Sequence, residues 1–262
     1  IPVMHDDQHG TAIISSAGLI NAMDISGKKI KDIKVVISGA GAAGIACARM
    51  YRNLGVEHIV LLDSRGVVST ERTDLNKYKE EFAIKTRDKT LKDAMRGADM
   101  FLGLSKPKIL TDDMVKNMSA HPIIFALANP VPEIMPEDVK RLRKDAIVGT
   151  GRSDYPNQIN NILGFPFIFR GALDVRANKI TENMKIAAAN ALAKLAKEPA
   201  SDELKQMYAG EMLEFGVDYV IPKPFDKRVK ATVSTAIATA AVKDGVAKLK
   251  SFDEKAYFES LS

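Results

Sequence analysis

The chain has 262 residues, of which 46% are hydrophobic and 27% charged. That length suits one large or two small domains, and the composition is too apolar for a disordered chain. Basic residues outnumber acidic ones 38 to 33 and are scattered, which argues against nucleic-acid binding. No apolar stretch reaches the roughly 18–20 residues of a membrane helix. A single cysteine, Cys47, rules out an internal disulfide framework and predicts a reducing, cytoplasmic location.

The start of the chain is abrupt. It begins at Ile1-Pro2 with neither an initiator methionine nor a secretory signal, and it reaches the polar cluster HDDQHG within ten residues. We therefore expect a fragment or a processed chain. A helix is predicted next, over residues 11–23.

The following segment has the pattern of a β-turn-α-β unit. Residues 34–37 are a β-branched run, typical of a buried strand. A glycine-rich turn and a segment with helical spacing follow, and Gly55 ends the predicted helix. Residues 58–62 are the next predicted strand, with Asp63 at its end.

Strands and helices continue to alternate up to about residue 150. Strands are predicted at 99–104, 123–128 and 146–148, helix turns at 77–82 and 90–95, and helices at 111–118 and 136–143. This alternation predicts an α/β fold, a Rossmann-like doubly wound parallel sheet with flanking helices. A mostly helical C-terminal portion follows, with long helices predicted at 181–197 and 229–247. We expect a dinucleotide-binding domain at 1–160 and the helical portion at 161–262.

The glycine-rich turn has the spacing Gly39-x-Gly41-x-x-Gly44. The first glycine permits a tight turn, the second lets the backbone approach a pyrophosphate, and the third lets helix and strand pack closely. Backbone amides at the helix start, at Ala42 and Ala43, attract phosphate charge. The alternative is a strand-helix turn that binds no ligand.

The residues after the second strand bear on which dinucleotide is bound. Asp63 lies 19 residues after Gly44, where a carboxylate can bind the adenosine ribose. A carboxylate repels a 2′-phosphate, so Asp63 favours NAD. Arg65 can instead pair with that phosphate, which leaves NADP open, or it is simply a solvated charge.

Two adjacent carboxylates, Asp6 and Asp7, lie in the HDDQHG cluster. Such a pair can bind a hard divalent cation through oxygen, as Mg²⁺ and Mn²⁺ prefer. The alternative is that one of them caps the helix that starts near Thr11.

Two further polar segments follow predicted strands. Asn129-Pro130 comes after the strand at 123–128, where a carboxamide can donate to a substrate carboxylate, or where the pair only starts a turn. Residues 149–161 form a loop rich in amides, and the apolar FPFIFRG after it indicates that the loop is tucked against a core.

The four motifs occur together, in this order, in malic enzymes. PVMHDDQHGTA, GAGAAG, ALANPVPEI and GTGRSDYPNQINNILGFPFIFRGALDVRA resemble the bacterial and archaeal branch of that family, over nearly the whole chain. The resemblance implies oxidation of malate by hydride transfer to NAD or NADP, followed by decarboxylation to pyruvate assisted by Mg²⁺ or Mn²⁺. It also implies a homodimer or homotetramer in the complete enzyme. The scattered charge and short apolar stretches argue against a nucleic-acid or membrane partner.

The resemblance also assigns roles to individual residues. Asp7 matches the family's metal-ligand aspartate, and Asp6 the adjacent aspartate that supports the metal site and the catalytic base. Asn129 and Asn161 match asparagines that position malate and the nicotinamide, and Asn160 lies beside them. The dinucleotide site would be formed by Gly39, Gly41, Ala42, Ala43, Gly44, Asp63 and Arg65, with Asn129 and Asn161.

One part of the family pattern has no counterpart here. The family's catalytic tyrosine and lysine and its Glu-Asp pair of metal ligands precede HDDQHG, whereas this chain begins four residues before that motif. Lys106 follows a strand, but a solvent-facing role explains it better. We therefore expect the chain alone to bind a dinucleotide and to turn over malate negligibly. The alternatives are a malolactic-type enzyme and a non-catalytic dinucleotide-binding module.

Overall fold

The computed structural model describes residues 1–249 and 251–262, which form two compact units. One unit is Ala22–Ile159, and the other combines Ile1–Asn21 with Asn160–Ser262. The later boundary falls one residue before the expected one. The first 21 residues, expected in the dinucleotide-binding domain, belong instead to the unit with the C-terminal part. One cause is Asn21, whose side-chain amide donates to two backbone carbonyls of that part, an association invisible in local sequence.

Helix α1 (Thr11–Ser26) runs through the first boundary and agrees with the predicted helix at 11–23. In the unit Ala22–Ile159, a six-stranded sheet carries short helices. Its strands are β1 (Lys34–Ser38), β2 (His58–Asp63), β3 (Gly66–Val67), β4 (Met100–Gly103), β5 (Ile123–Ala126) and β6 (Ile147–Thr150). Its helices are α2 (Ala42–Asn53), α3 (Lys77–Glu80), α4 (Leu91–Met95), α5 (Asp112–Lys116) and α6 (Pro136–Leu142).

The sheet has the order β3-β2-β1-β4-β5-β6, and every neighbouring pair except β2–β3 is parallel. The central strands are apolar on both faces, because helices must cover both sides of a parallel sheet. The chain leaves β1 toward β2 on one side and returns to β4 on the other. The crevice beyond the carboxyl ends of β1 and β4 is therefore the switch point where such sheets bind ligands.

Strand β3 departs from the expected all-parallel sheet. It turns back against β2, pairing Leu62 with Val67 and Asp63 with Gly66. Gly66 has φ +108°, and a β-carbon there would lie 2.2 Å from the Lys89 carbonyl oxygen, so only glycine fits. A strand of two residues is too short to show hydrophobic periodicity, so the sequence does not predict β3.

The second unit is helical. A π-helical turn, Asp6–Gly10, leads directly into α1, and a 3₁₀ turn, Asn161–Leu163, precedes the C-terminal helices. These helices are α7 (Phe165–Asp174), α8 (Glu182–Leu195), α9 (Asp202–Met207), α10 (Arg228–Lys243) and α11 (Glu254–Leu261). Helices α8 and α10 correspond to the two predicted long helices. Among the described residues, no helix combines the length and the apolar character needed to cross a membrane.

Candidate functional site

The glycine turn between β1 and α2 has the geometry that the sequence predicts. Gly39 has φ +123°, which favours glycine, and a β-carbon there would lie 2.5 Å from the Leu104 carbonyl oxygen. A β-carbon on Gly44 would lie only 1.8 Å from the Gly39 carbonyl oxygen, so helix and turn are in direct contact. Gly41 differs, because a β-carbon there would meet nothing within 4 Å. Gly39 and Gly44 are therefore required by close contacts of the backbone, whereas Gly41 leaves open space beside it.

The open side of Gly41 faces a cleft of about 700 Å³ at the carboxyl ends of β1 and β2. Gly41 is the N-cap of α2, and no side chain caps the helix there. The first amides of α2, beginning at Ala42 and Ala43, therefore have no capping side chain, and the helix dipole places partial positive charge beside them. Gly39, Ala40 and Gly41 line the cleft. This arrangement has the geometry that helix N-termini use to bind phosphate groups.

Asp63, at the end of β2, also lines the cleft, but cations occupy its carboxylate. Arg72 donates to both oxygens at 2.8 and 2.9 Å, and Lys79 Nζ donates to Oδ2 at 2.6 Å. The Arg65 backbone amide donates to Oδ1 at 2.9 Å. Burial opposes ionisation of Asp63, but the bonds from Arg72 and Lys79 outweigh it and hold its pKa well below the usual value. The carboxylate is thus neutralised within the protein.

The cluster of charges around Asp63 has an excess of cations. The Arg65 side chain is 70% exposed and pairs with Asp74, which also pairs with Arg72. Three cations, Arg65, Arg72 and Lys79, therefore face two carboxylates. One positive charge remains in excess at the β2 end of the cleft, beside Arg65 and Lys79, which line it.

The loops after β4 and β5 are joined by a fully buried carboxylate. Glu133 is 0% exposed; its Oε1 accepts from the Ser105 backbone amide at 3.0 Å and its Oε2 from the Ala128 amide at 3.1 Å. Burial raises the pKa of Glu133, although these two bonds act in the opposite direction. The predicted ligand Asn129 comes directly after Ala128, is exposed, and forms a cis peptide bond with Pro130.

The amide-rich loop after β6 folds back on its own unit, as the sequence indicates. The Thr150 amide donates to the Asn157 carbonyl, and the Ile159 amide donates to the Thr150 carbonyl. Asn157 is 1% exposed and donates to the Val148 carbonyl at 2.9 Å. Gly151 lies close to Asn129, since a β-carbon there would be 3.1 Å from Asn129 Nδ2. The loop therefore packs beside the Asn129 carboxamide.

The remaining predicted residues belong to the other unit. Asn161 Nδ2 donates to Asp6 Oδ2 at 2.5 Å, so residues 155 positions apart in the chain lie together. Asn160 caps the 3₁₀ turn, its side chain accepting from the Ile162 amide. Burial and then the neighbouring Asp7 charge raise the pKa of Asp6, against the influence of His5 and the bond from Asn161. The π-helical turn has His5 at its N-cap and no side-chain cap bond, so neither aspartate caps α1.

Asp6 and Asp7 supply oxygen donors of the type that Mg²⁺ and Mn²⁺ prefer, but they do not complete a metal site. Asp6 Oδ1 is buried without a hydrogen-bond partner, packed where a β-carbon on Gly10 would lie 2.2 Å away. Asp7 is exposed. Within residues 1–249 and 251–262, no group of three or more His, Cys, Asp or Glu side chains is placed to hold a metal ion. Two carboxylates fall well short of the coordination number of such ions.

Sequence reasoning missed three residues of the candidate site: Arg72, Lys79 and Glu133. Arg72 and Lys79 lie 9 and 16 residues after Asp63, in a segment without a motif. Only the turn through β3 brings them back to the end of β2. Glu133 carried a usable signal, because a single acid stands in the otherwise apolar run Val131-Pro132-Glu133-Ile134-Met135.

A glycine turn with a free helix N-terminus, at the switch point of a doubly wound sheet, defines a Rossmann-type dinucleotide-binding protein. Comparison with known sequences identifies the family. Residues 8–209 match the family described as "Malic enzyme, NAD binding domain". The chain belongs to the malic enzyme family, and the resemblance seen in its motifs is confirmed.

Individual relatives agree with this assignment. The chain is 53% identical to the probable NADP-dependent malic enzyme of Rickettsia prowazekii (strain Madrid E), over 100% of this chain and 34% of that protein. It is 52% identical to the bifunctional malic/malolactic enzyme of Bacillus subtilis (strain 168), over 95% and 58%. The crystal structure of a malic enzyme from Pyrococcus horikoshii Ot3 has a TM-score of 0.87 and 39% identity, covering 100% of this chain and 59% of that one. The chain thus spans about a third to three fifths of their length.

Proposed function

We propose that this chain is the dinucleotide-binding part of an enzyme that oxidises malate and releases pyruvate and carbon dioxide. The observation that carries the proposal is the glycine cradle of Gly39, Gly41 and Gly44, with its open helix N-terminus at the switch point of the sheet. The names of the Rickettsia and Bacillus relatives supply the substrate. The dinucleotide, when bound, supplies the acceptor for the hydride that leaves C2 of malate.

In this proposal the glycine turn, Asn129 and the pair of Asp6 and Asn161 have different roles. The cradle binds the pyrophosphate through backbone amides, which positions the two halves of the dinucleotide on either side of β1. Asn129, after β5, orients the nicotinamide or a substrate carboxylate through its carboxamide. In the other unit, Asp6 fixes the Asn161 side chain by accepting one of its amide hydrogens. Asn161 then keeps its carbonyl oxygen and a second hydrogen for malate, with Asn160 adjacent.

We further propose that the bound dinucleotide is NADP. Asp63 lowers affinity for a 2′-phosphate only if its charge is free, and here Arg72 and Lys79 neutralise it. The excess cation of the cluster, with Arg65 largely exposed, provides an attractive site for the phosphate. The name of the Rickettsia relative agrees. This reverses the preference for NAD that Asp63 alone suggests.

The NADP proposal is tested by calorimetric titration of the chain with NADP⁺ and with NAD⁺. We expect NADP⁺ to bind at least about tenfold more tightly, a difference of about 1.4 kcal/mol. Lys79→Gln should remove most of this difference by weakening NADP⁺ alone, whereas Lys116→Gln, on the exposed side of α5, should change neither affinity. Equal affinities in the parent chain would contradict the proposal.

Asp6 and Asp7 are proposed to contribute to a Mg²⁺ or Mn²⁺ site whose other ligands lie outside these 262 residues. Two carboxylates alone bind such ions weakly, so we assign no reaction step to the metal. The catalytic acid and base have no assigned residue in this chain either. We accordingly propose that the chain by itself does not turn over malate, and that the complete enzyme is a cytoplasmic homodimer or homotetramer.

The reaction is tested with malate, Mn²⁺ and NADP⁺, comparing this chain with a protein extended to the length of its relatives. The proposal predicts pyruvate and stoichiometric NADPH from the longer protein and negligible product from this chain. Lactate without net NADPH would instead indicate the malolactic reaction, which the Bacillus relative's name makes a specific alternative. Rapid turnover by the 262-residue chain would contradict the assignment of roles.

A further inference from the structure

A buried acid without a charged partner links the loops that follow two neighbouring strands of the sheet. Glu133 is fully buried, and none of the ion pairs among residues 1–249 and 251–262 includes it. Its carboxylate accepts one backbone amide from Ser105, beyond β4, and one from Ala128, beyond β5. A buried carboxylate is costly unless its oxygens are satisfied by donors, so this link depends on both amides staying in place.

The surrounding structure is built to accommodate this carboxylate. A β-carbon on Gly103, the last residue of β4, would lie 2.2 Å from Glu133 Cδ and within 2.6 Å of both oxygens. The backbone of the Glu133 segment is held from the other side, since Lys108 donates to the Pro132 carbonyl and Leu110 to the Glu133 carbonyl. Glu133 is therefore held from two sides, by the backbone at Gly103 and by the amides of Lys108 and Leu110.

The loop after β4 lines the cleft, and the loop after β5 follows the neighbouring strand of the sheet, on the side away from β2 and its charge cluster. Ser105 and Lys106 line the cleft, and the Ser105 hydroxyl lies 3.0 Å from the Ser38 hydroxyl at the end of β1. Ala128 immediately precedes Asn129. In a doubly wound sheet, the adenosine half of a dinucleotide lies over the β1–β2 side and the other half over the β4–β5 side.

From these contacts we infer that Glu133 is a positioning residue, which sets the spacing of the β4 and β5 loops so that Asn129 meets the nicotinamide half of the dinucleotide. This inference rests on the proposed function. Glu133 touches no reacting atom, and it acts through the backbone of residues 128–129. The adenosine half depends on other residues, in the turn at 39–44 and the cluster around Asp63.

The test compares binding of the whole dinucleotide with binding of its adenosine half alone. The affinities of the chain for NADP⁺ and for adenosine 2′,5′-bisphosphate, which lacks the nicotinamide half, are measured calorimetrically. Glu133→Gln replaces one acceptor with an amide group that faces a backbone N–H. We expect NADP⁺ to bind about tenfold more weakly, while the bisphosphate changes less than about twofold. Glu57→Gln, an exposed glutamate just before β2, should change neither.

A purely structural role for Glu133 predicts a different pattern. Equal weakening of both ligands, or no change in either, would overturn the inference. Glu133→Asp keeps the charge but is too short to reach both amides, and it should give the same split between ligands even if the glutamine variant does not fold. If the parent chain binds neither ligand, the proposed function itself is refuted, so the two failures are distinguishable.

Discussion

In the glycine turn, substitution of one glycine should weaken dinucleotide binding, whereas substitution of another should lower the stability of the fold. Gly41 and Gly44 are three residues apart, yet a β-carbon on Gly41 meets nothing within 4 Å, while one on Gly44 would lie 1.8 Å from the Gly39 carbonyl oxygen. Gly41 has φ −87°, which any residue adopts. Gly41→Ala therefore places a methyl group in the cleft without strain, whereas Gly44→Ala forces the helix and the turn apart.

The magnitudes follow from these distances. Real β-carbons essentially never approach closer than 3.0 Å, so Gly44→Ala must move the helix or the turn by roughly 1 Å. Overpacking of this kind costs about 1–3 kcal/mol, or about 3–10 °C in melting temperature for a chain of this size. Gly41→Ala should melt within about 2 °C of the parent chain but bind NADP⁺ at least about tenfold more weakly, because its methyl group occupies the place of the pyrophosphate.

The assays are thermal unfolding followed by circular dichroism and calorimetric titration with NADP⁺. Gly27→Ala is the control, since Gly27 has φ +67° with open space around it and does not line the cleft. It should lose about 1 kcal/mol of stability and keep its affinity. If Gly41→Ala bound NADP⁺ as tightly as the parent chain, the pyrophosphate would not lie on this turn.

The remaining predictions concern pH and packing. The folded-state pKa of Asp63 lies below the usual 3.8. Its ion pairs therefore stabilise the fold above pH 3.8, and this stability is lost as the pH falls through the folded-state pKa. In Asp63→Asn, the melting temperature should fall less steeply at acidic pH than in the parent chain. The pH dependence from Glu133 has the opposite direction, because its folded-state pKa is raised above 4.5. Stability falls as the pH rises through that pKa, and Glu133→Gln should remove this fall. Asn21→Ala removes two buried hydrogen bonds and should cost about 2 kcal/mol in chemical denaturation, whereas an unchanged midpoint would contradict the role of Asn21. Gly10→Ala should also destabilise the chain, because its β-carbon would meet Asp6 Oδ1 at 2.2 Å.

Much of the sheet could be predicted from the sequence because local patterns encode it. The apolar runs of β1, β2 and β5 and the spacing Gly39-x-Gly41-x-x-Gly44 are short-range signals, and the structure agrees with them. Boundaries differ by a few residues; the predicted helix at 229–247, for example, ends at Lys243, and Gly245, with φ +68°, follows. Helices α7, α9 and α11 are not predicted individually; α9 and α11 are short and lie in segments without a strong period.

The candidate site was harder to predict because its chemistry depends on distant contacts. Asp63 by itself predicts a ribose ligand, but pairing with Arg72 and Lys79 changes what its charge does. Likewise, the bond between Asp6 and Asn161 and the placement of residues 1–21 depend on segments far apart in the chain. A single sequence does not show which of these residues are in contact in the folded protein.

The binding of a dinucleotide at the glycine turn is tested most directly by following backbone amide signals by NMR while NADP⁺ is added to the chain. We expect saturable shifts with a 1:1 stoichiometry, largest at the amides of Gly41, Ala42 and Ala43 and present at Arg65 and Lys79. Saturable binding that leaves these amides unchanged, or no binding at millimolar NADP⁺, would contradict binding at this turn.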